Sequence, residues 1–171
     1  DTLRFQFDVC AAESNRAPMP MSAGNHFSFA LPFTDGTWDD VTFESPATQR
    51  FLLNTASLCS GQTEALGSNV CAPVADPALH DTVLGGYRRE PAWAELRQAG
   101  GPKVRVMQTQ RSETHAHLED YYFVLYAQPD RGFFCAEPWV GAPNALNAGA
   151  PVQLVPGDRW IMVGLPPGST H

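Results

Sequence analysis

Long apolar runs are missing from this 171-residue sequence. No stretch approaches the ~18 consecutive apolar residues that a membrane-spanning helix requires, so no span is expected. No secretory leader is expected either: the opening "DTLRFQFDVC" has no basic segment followed by an apolar one. It also lacks an initiating Met, so the chain is either processed or a piece of something longer. Positive charge is scarce. Eleven Lys and Arg stand against eighteen Asp and Glu, a net charge of -7. That balance argues against nucleic acid or an anionic membrane surface as a partner. The four cysteines, Cys10, Cys59, Cys71 and Cys135, form no C-x-x-C and sit beside no His at zinc-finger spacing. Reduced, buried thiols are expected, with one disulfide as the alternative if the protein is exported. Helical periodicity, internal repeats and low-complexity tracts are absent too.

What is present reads as strand. With 43% hydrophobic and 17% charged residues the chain is globular, and its fifteen Pro and fourteen Gly are scattered, which favours turns over long helices. "LRFQFDV" alternates, placing Leu3, Phe5, Phe7 and Val9 on one face. "HFSFALPF" alternates again, with Phe27, Phe29 and Leu31 together and His26 and Ser28 opposite. "WDDVTFE" and "QRFLLN" are short strands. From Thr55 to Leu79 the periodicity fails, and a long irregular segment is expected. "AWAELRQAGGPKVRVMQ" is a hairpin turning at Ala99–Pro102, and "YYFVLYA" and "GFFCAE" are apolar runs joined by "QPDRG". "PVQLVPGDRWIMV" supplies two last strands about Pro156-Gly157-Asp158. Short strands with turn signals every ~8–12 residues indicate an all-β sandwich or barrel, and no boundary divides residues 1–171 into two domains.

Few residues stand out as chemical. Glu137 follows an apolar run and precedes Pro138-Trp139. Burial there would raise its pKa toward the range of a general base; the alternative is an exposed strand end. His26 opens its strand after Gly24-Asn25, where a hydrogen-bonded structural role competes with a functional one. Asp81, in "LHDTVLGG", is either a turn former or an acceptor of two sugar hydroxyls. In "THAHLED", His115, His117 and Glu119 would share one face of a strand and could hold a metal as in a cupin, with "PPGSTH" ending at His171. The spacing departs from the cupin pattern, so solvated histidines, no metal and no cofactor are expected.

Taken together, three segments resemble the aldose 1-epimerase (galactose mutarotase) family: "LRFQFDVCAAESNRAPMPMSAGNHFSFALPF", "LHDTVLGG" and "GFFCAEPWVGAPNALNAG...LVPGD". The third carries the family's Cys-x-Glu-Pro-Trp form and is the most specific. In the first, "HFSF" stands where His-Pro-Tyr-Phe is commoner. The resemblance covers nearly the whole chain but only the C-terminal part of a full member, whose earlier strands supply an Arg and another His. It implies a twisted antiparallel β-super-sandwich lacking its N-terminal strands, and a cytoplasmic isomerase that interconverts the anomers of a hexose, with or without a phosphate. Glu137 and His26 become the acid–base pair, and Asp81, Asn25 and Trp139 the sugar contacts; Trp139 could equally fill the core. The pair should face one pocket with room for a pyranose between them, not bonded to each other. A non-catalytic carbohydrate-binding sandwich and a metal-dependent cupin are the alternatives. A free sheet edge is expected to favour homo-oligomers.

Overall fold

The computed structural model describes residues 3–67, 69–112, 120–148 and 152–165. Its strands are β1 (Phe5–Cys10), β2 (Met19–Met21), β3 (Ala23–Gly24), β4 (Ser28–Ala30), β5 (Val41–Ser45), β6 (Gln49–Leu53), β7 (Cys59–Ala65), β8 (Val70–Pro73), β9 (Thr82–Gly85), β10 (Ala92–Gln98), β11 (Lys103–Ser112), β12 (Tyr121–Gln128), β13 (Phe133–Val140), β14 (Val152–Leu154) and β15 (Arg159–Leu165). A single helical turn, α1 (Ala145–Ala148), follows β13. One six-stranded sheet runs β1-β15-β11-β10-β5-β8. A seven-stranded sheet runs β3-β13-β12-β9-β6-β7, with β4 also on β13, and β14 pairs with β2. The pairings within these sheets are antiparallel.

The period of two in the sequence decides which side chains meet between the sheets. Val41, Phe43, Ala94, Leu96 and Val106 point inward from the six-stranded sheet; Leu84, Phe123, Leu125, Phe134, Ala136 and Val140 answer from the seven-stranded one. Phe43 and Phe134 touch across the gap with ring centroids 5.9 Å apart, both fully buried. Burial of each ring stabilises the sandwich by about 1.5–3 kcal/mol. β1 behaves as its alternation predicts: Phe5, Phe7 and Val9 lean on this core while Gln6, Asp8 and Cys10 face solvent. Leu3 lies before the strand and is exposed. The β10–β11 and β12–β13 hairpins form as read, the second closing through a 3-10 turn at Pro129–Arg131 and a left-handed Gly132.

Several expectations are corrected. The segment from Thr55 to Leu79 holds β7 and β8 rather than irregular chain. β7 is the edge of its sheet and is exposed after Cys59, so no apolar alternation marks it. Trp38–Asp40 is a 3-10 turn, not the start of a strand, because Asp40 caps it by accepting from the Thr37 N–H. The two last strands form where expected but enter different sheets: β14 joins β2 while β15 lies between β1 and β11. All four cysteines are free, but only Cys59 and Cys135 are buried.

Candidate active site

β12 has no polar alternation because both of its faces are covered. Its outward residues Tyr122 and Val124 join Phe51, Leu53, Cys59, Val83, Trp139, Ala142 and Ala145 in a second apolar cluster on the outer face of the seven-stranded sheet. Phe51, Val83, Val124 and Glu137 form one in-register row across four strands. Glu137 is therefore a carboxylate at the end of an apolar floor, and its side chain is only 5% exposed.

The partner of Glu137 comes from an interrupted strand. Gly24 of β3 pairs with Trp139 and Ser28 of β4 pairs with Cys135. Counting two residues inward from either pair puts His26 opposite Glu137. The break keeps this register through main-chain bonds: the Asn25 N–H donates to the Pro138 carbonyl at 3.1 Å and the Ala136 N–H to the Phe27 carbonyl at 3.2 Å. Cross-strand neighbours stand about 5 Å apart at Cβ, so their longer side chains touch. His26 Nε2 lies 3.3 Å from Glu137 Oε1. This corrects the expectation of a pyranose-sized gap: the two groups are in contact. They differ in freedom, since the His26 side chain is 63% exposed.

Each group has a second partner. The Trp139 indole N–H donates to Glu137 Oε2 at 3.2 Å. Ser28 Oγ lies 3.3 Å from His26 Nδ1 and 3.2 Å from Cys135 Sγ. Trp139 is held by close approach to Gly24, where an added Cβ would fall 2.3 Å from the indole Cδ2. Burial pushes the Glu137 carboxyl above its ordinary value; the Trp139 hydrogen bond and the His26 charge pull it back. Burial also pushes the Cys135 thiol up, opposed by the Ser28 hydrogen bond and reinforced by the Glu137 charge.

Of the residues singled out in the sequence, Glu137, His26 and Trp139 meet at this site, and Asn25 reaches it through its main chain. Asp81 is exposed at the start of β9, with φ +55°, and accepts a 2.5 Å hydrogen bond from Ser57. β9 is two strands from β13, roughly 10 Å across the sheet. Ser28 and Cys135 were not singled out. The alternation that put Ser28 with His26 was a usable signal, but the pairing with Cys135 needed the register. His115, His117, Glu119 and His171 lie outside the described residues. Among the described residues, the side chains able to converge on a metal are His26, Cys135 and Glu137, and no helix is long and apolar enough to cross a membrane.

No protein-family model and no curated protein matches the chain. Among solved structures, a galactose mutarotase-like protein from Clostridium acetobutylicum aligns with a TM-score of 0.64 and 18% identity, over 95% of this chain and 51% of that one. The fold is thus a galactose mutarotase-like β-sandwich, and the chain spans about half the length of that protein.

Proposed function

We propose that the chain carries the acid–base centre of an aldose 1-epimerase-type isomerase acting on a hexose. The observation that supports this most is the register-matched His26–Glu137 pair, 3.3 Å apart, on the outward apolar floor of a mutarotase-like sandwich. Glu137 takes the proton from the anomeric hydroxyl while protonated His26 gives one to the ring oxygen. The bond from C1 to the ring oxygen breaks, and the resulting aldehyde turns about C1–C2. The ring then recloses from the other face, with the two residues exchanging roles. Each positioned acid or base is worth ~10²–10⁴ in rate.

Because the pair is in contact, a sugar has to enter by displacing the exposed imidazole while the Trp139 N–H keeps Glu137 in place. Trp139 then offers an aromatic face to the sugar, and Asp81 and Asn25 are the proposed hydroxyl partners. The hexose is bound with or without a phosphate, residues 1–171 act as one domain, and four free thiols favour a cytoplasmic setting. The closed pair also favours a second reading, a carbohydrate-binding sandwich without chemistry. Polarimetry on freshly dissolved α-glucose and α-galactose separates the two. Catalysis that His26→Asn reduces by at least ~10² supports the isomerase; sugar binding without catalysis by the parent chain supports the binding module.

A further inference from the structure

We propose that His26, Cys135 and Glu137 form a binding site for a soft divalent transition metal, zinc by the chemistry of the donors, and that the bound ion switches the acid–base pair off. One ligand atom from each residue lies within 4.8 Å of the other two. The His26 Nε2–Glu137 Oε1 separation is already 3.3 Å. Two donors about 2.1 Å from a tetrahedral zinc stand about 3.4 Å apart, so this edge of the coordination polyhedron needs no rearrangement. Cys135 and Glu137 are two residues apart on β13 and so project from the same face of the sheet. The mobile member is His26, whose exposed side chain can close the remaining gap to sulfur.

The donor set selects the ion. A thiolate, an imidazole and a carboxylate suit zinc or cobalt, whereas calcium and magnesium take oxygen ligands. Outer contacts that would orient the ligands are in place: Ser28 Oγ touches both the Cys135 sulfur and His26 Nδ1, and the Trp139 N–H holds the other Glu137 oxygen. The fourth position opens toward solvent on the exposed His26 side. On binding, the Cys135 thiol loses its proton to solvent as the sulfur–metal bond forms. The His26 Nε2 and Glu137 Oε1 lone pairs then point at the metal and cannot move protons. The inhibition rests on the acid–base reading above; the binding does not. No sequence spacing marks this site, because His26 and Cys135 lie far apart along the chain and meet only through the β4–β13 pairing.

The test uses the reduced, metal-stripped 171-residue chain and divalent cobalt and zinc. Cobalt should bind once per chain with thiolate-to-metal absorption. Cys135→Ala should remove that absorption, and His26→Asn should weaken zinc by at least ~10², beyond the loss typical of an outer-shell change. His26 is exposed, so this variant remains informative if Cys135→Ala fails to fold. A Cys10→Ser/Cys71→Ser variant controls for the exposed thiols and should bind as the parent does. One equivalent of zinc should abolish mutarotation by the parent, and a chelator should restore it. Binding that is absent, or unchanged in His26→Asn and Cys135→Ala, overturns the site. A stripped enzyme that is inactive until zinc is added overturns the switch. Cobalt binding that depends on His26 and Cys135, in a chain with no mutarotation under any condition, supports the site and removes the inhibition together with the acid–base reading.

Discussion

The two outer faces of the sandwich each carry a buried glutamate, and the two are held in opposite ways. On the six-stranded sheet, Glu95 is 1% exposed and faces away from the core, beside its cross-strand partner Arg105. Arg97 donates to one of its oxygens at 2.5 Å and Arg105 to the other at 2.8 Å, while Arg105 stacks over Trp93 with its guanidinium carbon 4.3 Å from the ring centroid. Two permanent cations thus neutralise Glu95. On the seven-stranded sheet, Glu137 has a neutral indole N–H and one imidazole, which can itself gain or lose a proton. A carboxylate held between two guanidinium groups is structural, because neither arginine gives up a proton. A carboxylate desolvated by an apolar floor and matched to a histidine suits the proposed proton transfer.

Exchanging the charge at each glutamate should therefore produce opposite outcomes, and the largest concerns Glu137. Glu137→Gln should lower mutarotation by at least ~10² while sugar binding survives. Its stability should move the other way. Since burial raises the Glu137 pKa in the folded state, that carboxylate costs stability once pH rises through the raised value. Glu137→Gln should accordingly equal or exceed the parent in Tm at neutral pH and lose that advantage in acid. Glu95→Gln should leave mutarotation unchanged and destabilise the fold by about 2 kcal/mol. Breaking a fully buried pair costs 3–5 kcal/mol, and the partial exposure of both arginines reduces it. Urea unfolding of the two variants side by side checks the signs.

A smaller effect should come from Gly24. An added methyl would collide with the Trp139 ring, displacing the indole that holds Glu137 Oε2. Gly24→Ala should cut mutarotation about tenfold, mainly in kcat, through misplacement of the base rather than its removal. Steady-state kinetics that show only a raised KM would mean that Trp139 contacts the sugar without placing Glu137.

How much of this was legible in the sequence follows from what each residue reports. β1, the β10–β11 hairpin and the β12–β13 hairpin were readable because alternation or a Gly-Pro turn fixes them locally. β7 was not, since an exposed edge strand of polar residues resembles a loop. Glu137 and His26 were readable as types in a family-like setting, but their contact was not. It depends on an interrupted strand that keeps its register across residues 25–27, a fact of pairing rather than composition. Cys135 was hidden for the same reason, whereas alternation alone places Ser28 on the His26 face.

The smallest expected effect is on the exposed rim. Arg159 pairs with Asp8 through two hydrogen bonds that tie β1 to β15, and it holds the Asp8 carboxyl below its ordinary value. A depressed carboxylate pKa contributes stability above the unfolded value and loses it as pH falls through the folded one. Asp8→Asn should therefore lower Tm slightly at neutral pH, and the difference should vanish in acid. Thermal melts across that range read it directly.

The exchange rate between the α and β anomers of galactose, measured by NMR with the parent chain, Glu137→Gln and Glu95→Gln under one condition, tests the central claim most directly. The proton-transfer reading predicts that the parent and Glu95→Gln accelerate exchange equally and that Glu137→Gln falls by at least ~10². Equal exchange rates in the parent and Glu137→Gln would contradict it.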